Sequence, residues 1–158
     1  MVKTKIITVG KIKEKEMQAI ISEYEKRLGR YTDFSCIQIP DSYVCQNPSE
    51  KEIEAVLKKE GEAIIKSMPS DMTLASMEIK GKKYSSEGLA QLLEDNKISG
   101  GICFVIGSSY GLSKEVRDRC KLKISMSDMT FPHNLARLML TEQIYRGFKI
   151  LSGERYHK

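Results

Sequence analysis

Apolar residues occur along the chain in two patterns, short continuous runs and positions spaced three or four apart. The runs predict β-strands and the spaced positions predict amphipathic helices. The predicted strands cover residues 6–9, 34–39, 74–79, 102–106 and 121–126. Helices are predicted between them, with N-caps at Ser49, at Ser85 or Ser86 and at Ser113, and a last long helix beginning near Pro132. This alternation predicts an α/β fold with a mostly parallel sheet.

The run from Ile102 to Ile106 is the strongest strand signal, because all five of its residues are apolar. A strand that is apolar on both sides belongs in the centre of a parallel sheet with helices on both faces. The third strand is predicted to end before Gly81, since glycine commonly interrupts a strand.

The length of 158 residues corresponds to one domain, which we predict over residues 1–158. With 41% hydrophobic and 30% charged residues, the composition is that of a globular protein and excludes a disordered chain. Residues 1–10 do not resemble a signal peptide, and no apolar stretch approaches the roughly 20 residues that span a bilayer. We therefore predict a cytoplasmic protein without a membrane partner.

The net charge of +5 is too small for a dedicated nucleic-acid-binding module, but it is unevenly distributed. Residues 1–33 carry eight cations and five anions, residues 34–132 carry 13 and 14, and residues 133–158 carry five and two. Basic ends permit contact with a polyanion such as RNA. Solvated surface charge explains the same pattern equally well.

Metal binding is not predicted, because His133 and His157 are the only histidines and neither has a His or Cys at ligand spacing. The four cysteines are too far apart for a zinc knuckle or a Cys-x-x-Cys redox pair. We expect them to be free and mostly buried.

Two loops are candidates for chemistry, because ligands of parallel α/β sheets bind beyond the carboxyl ends of the strands. Residues 107–111 follow the central strand, and residues 125–133 follow the last strand. The first loop reads Gly-Ser-Ser-Tyr-Gly, the pattern of a hydrolase nucleophile elbow with Ser109 as nucleophile. The acid of such a catalytic triad would be Asp118 or Asp128, and its histidine would be His133 or His157. Only 49 residues follow Ser109, which argues against a hydrolase. Both loops are alternatively simple turns.

Several motifs together resemble one family. They are Val-Gly-Lys at 9–11, Phe-Val-Ile-Gly at 104–107, Gly-Leu-Ser at 111–113, Met-Thr-Phe-Pro-His at 129–133, Tyr-Arg at 145–146 and Tyr-His-Lys at 156–158. The chain is similar over its whole length to bacterial methyltransferases of the SPOUT class that modify a pseudouridine, at N3, in large-subunit (23S) ribosomal RNA. The family usually has a second glycine where this chain has Ser108.

The resemblance implies a C-terminal trefoil knot, although knots are otherwise almost absent from proteins. It also implies S-adenosylmethionine as the cofactor, bound in the knot. A homodimer is implied, with the RNA pocket completed near the partner subunit. The RNA substrate would be the large subunit or the whole ribosome.

By the same resemblance, the cofactor is expected to contact Met77 at the end of the third strand, Gly107, and the residues of one loop segment. That segment consists of Met126, Ser127, Asp128, Met129, Thr130 and Phe131. Glycine allows a ligand to approach the backbone closely, and methionines provide adaptable apolar walls. For Met77 and Met126, packing in the hydrophobic core is the alternative role.

Methyl transfer to a ring nitrogen needs positioning and removal of an imide proton. His133, Arg155, Tyr156 and His157 are the candidate catalytic residues, and the last three, with Arg137, are candidates for RNA contact. His133 equally suits a structural role at the start of the last helix, and terminal residues are often frayed. The residues do not decide which group removes the proton. A ribosome-binding protein without catalysis is a further possibility.

Overall fold

The structure, a computed structural model, describes all 158 residues and contains five strands and five helices. In chain order they are β1 (Lys3–Val9), α1 (Lys15–Leu28), β2 (Asp33–Ile39), α2 (Glu50–Ser67), β3 (Thr73–Lys83), α3 (Ser86–Asp95), β4 (Gly101–Ile106), α4 (Lys114–Arg119), β5 (Leu122–Ser125) and α5 (His133–Leu151). The predicted alternation of strands and helices is confirmed.

The five strands form one sheet in the order β2-β1-β4-β3-β5, and every pairing is parallel. Strand β4 lies at the centre, and all six of its residues are buried. The prediction that 102–106 is the central strand is therefore confirmed. All five strands also present their carboxyl ends at the same edge of the sheet, which is the usual ligand edge of such folds.

Helices cover both faces of the sheet, so successive residues of a strand enter different cores. Ile6 and Phe104 pack with residues of α1, α3 and α5, whereas Ile7 and Val105 pack with residues of α2 and α4. This arrangement explains why the central strands need apolar residues at every position rather than in alternation. It confirms the predicted α/β fold with helices on both faces.

The predicted helix starts are confirmed by their cap geometry. The hydroxyl of each capping serine accepts a hydrogen bond from the backbone N–H three residues later in the chain. The pairs are Ser49 with Glu52, Ser85 with Gly88, and Ser113 with Val116. Helix α5 begins at His133, with Pro132 at the N-cap. None of the helices combines the length and the apolar character needed to cross a membrane.

Strand β3 corrects the prediction that Gly81 ends the strand. It continues to Lys83, with an irregularity between Met77 and Lys82, both of which are in register with Ile124 of β5. A Cβ at Gly81 would lie 2.7 Å from backbone atoms of Lys123 and Ile124. Glycine there permits close contact between two strands and does not stop one. Met77 therefore lies within β3, at this irregularity, and not at its end.

All four cysteines are free, and three of them are shielded from solvent to different degrees. Cys103 and Cys120 are buried, Cys36 is half-buried and Cys45 is exposed. Burial raises the pKa of Cys103 to about 12 and the pKa values of Cys36 and Cys120 to about 11. These three thiols stay protonated and unreactive near neutral pH.

Candidate cofactor site

A cavity of about 850 Å3 lies at the carboxyl edge of the sheet. Residues from β3, from the loops after β4 and β5 and from the start of α5 form its walls. They are Met77, Glu78, Ile79, Ile106, Gly107, Ser108, Ser109, Tyr110, Gly111, Ile124, Met126, Ser127, Met129, Thr130, Phe131, Pro132, His133 and Ala136. The fold thus brings together the two loops that the sequence singled out.

The loop after β4 is a tight turn closed by its own backbone. The N–H of Gly111 donates to the carbonyl of Ser108 at 2.9 Å. A Cβ at Gly107 would lie 2.3 Å from the carbonyl oxygen of Gly111, a distance that side chains do not tolerate. Gly107 is therefore required by the turn itself, and the turn sets the shape of this wall.

The loop after β5 is held by two serines. The hydroxyl of Ser125 donates to the carbonyl of Ser127 at 3.0 Å, and the Ser127 hydroxyl accepts from the backbone N–H of Met129 at 3.0 Å. Of the eight residues predicted to contact the cofactor, seven line the cavity. The exception is Asp128, whose side chain is 80% exposed and pairs with Lys83 at 2.6 Å.

His133 is the first residue of α5 and part of the cavity wall. Its imidazole packs against Gly10, where a Cβ would lie 3.1 Å from Nε2 and 4.0 Å from the carboxyl carbon of Asp41. Gly10, the residue after β1, therefore leaves the space that the imidazole of His133 occupies. A neutral imidazole in this position is able to accept a proton from a ligand in the cavity.

Three further side chains at the cavity were not singled out from the sequence. The Glu78 side chain is 17% exposed, contacts the hydroxyl of Ser76 and lies 3.9 Å from the Arg117 guanidinium. Ile79 and Tyr110 are 47% and 40% exposed at the cavity mouth. Glu78 and Ile79 occupy the irregularity of β3, which the prediction placed at the end of a strand.

A family model described as "Predicted SPOUT methyltransferase" matches residues 2–157, which is nearly the whole chain. The chain belongs to the SPOUT methyltransferase family. The family predicted from the motifs is confirmed at this level.

Among solved structures, this SPOUT family member is similar to the SpoU methyltransferase AviRb from Streptomyces viridochromogenes. The two share 13% sequence identity with a TM-score of 0.47 over 96% of this chain and 61% of that chain. The chain therefore spans about three fifths of the length of the solved relative.

The C-terminal residues Tyr156 and His157 of this SPOUT family member pack against helices of their own chain. The ring of Tyr156 packs edge-on against Tyr145 with centroids 5.0 Å apart, and its hydroxyl donates to Glu142 at 3.1 Å. His157 bridges Glu87 on α3, at 2.7 Å, and Arg146 on α5, at 3.3 Å. Arg155 is exposed. Tyr156 and His157 are therefore ordered by specific contacts and are not frayed.

The pKa of Tyr156 is raised above its usual value of 10, first by burial of the phenol and then by the nearby Tyr24 and Glu142. Its hydroxyl is consequently protonated at neutral pH. Tyr156 is suited to donate a hydrogen bond or to stack on a base, and it is not suited to remove a proton.

The structure does not bring the C-terminal residues to the cavity of the same chain. They contact α5 at Glu142 and Arg146, whereas the cavity meets α5 at His133 and Ala136. Glu142 and Arg146 lie nine and thirteen positions beyond His133, which corresponds to roughly 14 and 20 Å along the axis. The two groups of predicted catalytic residues are therefore far apart within one chain.

Arg137, predicted to contact RNA, is only 7% exposed. Its guanidinium donates to Glu25 of α1 at 3.2 Å, and its Nε is buried without a partner. A side chain enclosed between α5 and α1 is not available to a phosphate backbone. This placement favours a structural role for Arg137 in joining the two helices.

The pairings of the two aspartates do not support the hydrolase hypothesis. Asp118 pairs with Lys114 at 2.7 Å, and Asp128 pairs with Lys83. Neither aspartate pairs with His133 or His157, as a catalytic triad requires. No group of three or more His, Cys, Asp or Glu side chains converges in an arrangement that would hold a metal ion.

Proposed function

We propose that the protein binds S-adenosylmethionine in the cavity at the carboxyl edge of the sheet and methylates a base of large-subunit ribosomal RNA. The observation that carries this proposal is the cavity itself, formed by turns after β4 and β5 in a chain of the SPOUT methyltransferase family. Two family motifs, at 104–107 and 129–133, form part of its walls.

The cavity suits this cofactor in size and in chemistry. Its volume of about 850 Å3 lies within the range of sites for ligands of nucleoside size. Met77, Ile106, Ile124, Met126 and Phe131 provide apolar walls for a purine and a thioether chain. The turn at 107–111 brings backbone N–H and C=O groups to the same space, where they can recognise polar edges.

S-adenosylmethionine, when bound, supplies a methyl group on a positively charged sulfur. The chain's own residues then have three tasks, which are to orient the cofactor, to exclude water and to receive the imide proton of the base. The two loops would orient it, and the apolar walls would exclude water. His133 is the candidate to accept the proton at a ring nitrogen, because it is the only histidine that lines the cavity.

A homodimer follows from this proposal. Tyr156 and His157 contact α5 at Glu142 and Arg146, roughly 14 and 20 Å along the helix from His133 of their own chain, so they would act at the cavity of a partner subunit. Such an arrangement is a closed two-fold dimer in which each site takes residues from both copies. The trefoil knot that the resemblance implies is part of the same proposal, since it would hold both loops against α5.

The proposed target is N3 of a pseudouridine in 23S ribosomal RNA, in the large subunit or the whole ribosome, which would place the protein in the cytoplasm. This choice rests on the Tyr-His-Lys terminus and on the other motifs of the resemblance. Tyr156 is able to stack on a base, while His157 and the exposed Arg155 are able to contact phosphate or a developing imide anion.

Mass spectrometry of ribosomal RNA from cells with and without the gene tests this function. We expect one methylated pseudouridine of the large subunit to disappear on deletion and to return with the wild-type gene. Purified protein should bind S-adenosylmethionine in calorimetric titration. Cofactor binding without any loss of a methylated base would favour a ribosome-binding role, and no binding would contradict the proposal.

A further inference from the structure

Glu60 is a buried carboxylate that has no place in the function described above. It lies on α2, which does not contribute to the cavity wall, and is only 3% exposed. A carboxylate removed from water needs hydrogen-bond donors around it, because an unpartnered buried charge is strongly destabilising. The partners of Glu60 therefore indicate why it is there.

Its partners come from two different segments outside α2. The hydroxyl of Ser108, in the turn after β4, donates to Oε1 at 2.9 Å. The backbone N–H of Ser42, in the linker between β2 and α2, donates to Oε2 at 3.4 Å. One side chain thus ties the cavity turn and the linker to the same point of α2.

The next residue of α2 contacts the other end of the same loop. A Cβ at Gly61 would lie 2.7 Å from the hydroxyl oxygen of Ser113, the residue that caps α4. Only glycine allows this approach. Glu60 and Gly61 therefore contact residues 108 and 113, which flank the part of the loop that bends around the cavity.

We propose that Glu60 is a positioning residue that holds the 107–113 loop in its cofactor-binding shape through the hydroxyl of Ser108. The loop has its own closing bond, from Gly111 N–H to the Ser108 carbonyl, but that bond does not fix the turn relative to the rest of the fold. The bond to Glu60 does so by joining the turn to α2, a helix that does not line the cavity. This inference rests on the proposed function, because the ligand of the cavity is taken to be S-adenosylmethionine.

The test compares Glu60→Ala, Glu60→Gln, Ser108→Ala and Ser108→Thr with wild type. Glu62→Gln is the matched control, because Glu62 lies two residues away on α2 and is exposed. Two properties are measured, amide hydrogen exchange of peptides that cover residues 107–113 without cofactor, and the affinity for S-adenosylmethionine by calorimetry. Thermal unfolding of each variant shows whether the fold is intact.

We expect Glu60→Ala and Ser108→Ala each to weaken cofactor binding about tenfold, since each removes a hydrogen bond to a charged group. Glu60→Gln should have a smaller effect, because an amide keeps one acceptor oxygen. Ser108→Thr keeps the hydroxyl but adds a methyl group to the cavity wall, so this variant is judged by loop exchange and not by affinity. Exchange in the loop should rise in the two alanine variants and stay unchanged in Glu62→Gln and Ser108→Thr.

The double variant Glu60→Ala with Ser108→Ala separates a direct interaction from two independent effects. If the two residues act through one hydrogen bond, the double variant should bind no more than about twofold more weakly than Glu60→Ala alone. Full additivity would overturn the proposal. If Glu60→Ala does not fold, loop exchange of Ser108→Ala and Ser108→Thr, measured without cofactor, decides the question, because both variants leave the carboxylate with Ser42.

Failure of this proposal is distinguishable from failure of the proposed function. If wild type does not bind S-adenosylmethionine, the function is wrong, and loop exchange alone still reports whether Glu60 holds the turn. If wild type binds and all variants match Glu62→Gln in both affinity and exchange, the function stands and the role of Glu60 is wrong.

Discussion

The cavity and the C-terminal residues differ in how their parts are held. The cavity is shaped largely by backbone turns at the ends of parallel strands, with Gly107 required by the turn itself. The C-terminal residues depend on side chains, since Tyr156 and His157 are fixed by Tyr145, Glu142, Glu87 and Arg146. The cavity is therefore a property of one folded chain. Under the proposed function, the C-terminal residues act on the cavity of a second chain.

The largest effect is expected from a change to the cavity turn. Gly107→Val should abolish measurable cofactor binding, a loss of more than about a hundredfold, because the turn must open to admit a Cβ. The protein should still fold, since the rest of the sheet does not depend on the turn. Calorimetry with S-adenosylmethionine and circular dichroism together measure both properties.

Gly111→Ala is the comparison for this prediction. Gly111 has a φ of 82°, but a Cβ there meets no atom within 4 Å. The substitution therefore introduces backbone strain of about 1–2 kcal/mol without a collision. Equal losses of binding in Gly107→Val and Gly111→Ala would mean that strain, and not overlap with Gly111, is the cause.

The next effect concerns the C-terminal residues. Tyr156→Ala combined with His157→Ala should leave cofactor affinity nearly unchanged and lower the methylation rate about a hundredfold or more, because a base-stacking ring and an anion-stabilising group are removed. Methyl incorporation into ribosomes from a deletion strain measures the rate. If this double variant methylates as fast as wild type, Tyr156 and His157 have no role in methyl transfer.

Mixing two inactive variants shows whether the C-terminal residues act on their own cavity. Gly107→Val supplies intact C-terminal residues, and the Tyr156/His157 double variant supplies an intact cavity. If the site is shared between subunits, mixed dimers should recover roughly one quarter of wild-type activity, because half the dimers are mixed and each has one complete site. No recovery after subunit exchange would mean that each chain uses its own C-terminal residues.

Much of the fold and of the cavity is predictable from the sequence because local signals agree with the final structure. The five apolar residues 102–106 identify the central strand, and Ser49, Ser85 and Ser113 mark three helix starts. Once the sheet is parallel, its carboxyl edge is the expected ligand site. Seven of the eight residues that the family resemblance implies for the cofactor also lie there.

The remaining features depend on contacts between residues that are distant in the sequence. Gly81 resembles a strand end until Lys123 and Ile124 are placed against it. Glu60 resembles an ordinary surface residue of a charged helix, and only the packing of α2 reveals Ser108 as its partner. Arg137 likewise resembles a free surface cation in the sequence, and only the structure reveals its contact with Glu25 of α1.

Arg137 and Arg155 offer a test of burial against exposure for two residues predicted to contact RNA. Arg137→Ala should lower the free energy of unfolding by about 1–3 kcal/mol, because Glu25 loses its partner in a partly buried site. This corresponds to a fall in melting temperature of roughly 3–10 °C. Calorimetric unfolding measures this change. An unchanged melting temperature together with weaker RNA binding would mean that Arg137 contacts RNA after all.

Arg155→Ala should have the opposite profile, since Arg155 is exposed. The melting temperature should not change, and RNA affinity should fall a few-fold, with the salt dependence of binding reduced by about one phosphate contact. Binding of ribosomal RNA fragments at several salt concentrations measures this.

The smallest effect is expected at the contact between His157 and Glu87, which holds the C-terminal residues on α3. The pKa of Glu87 is lowered below its usual 4.5, first by a backbone N–H and then by His157. The stabilising contribution of the carboxylate is therefore present above pH 4.5 and is lost as the pH falls through the lower folded-state value. Residues 155–158 should therefore become more mobile under acid conditions. Their amide NMR signals should sharpen, because mobile residues give narrower lines.

Glu87→Gln should sharpen the same signals at pH 6, because the charged partner of His157 is then absent at any pH. Glu115→Gln is the control, since Glu115 is also an exposed acidic residue in the first turn of a helix but lies on α4. Broad signals at pH 6 in Glu87→Gln would mean that Tyr156, packed on Tyr145 and bonded to Glu142, is sufficient to hold the C-terminal residues. In that case the phenol and not the imidazole would be the anchor.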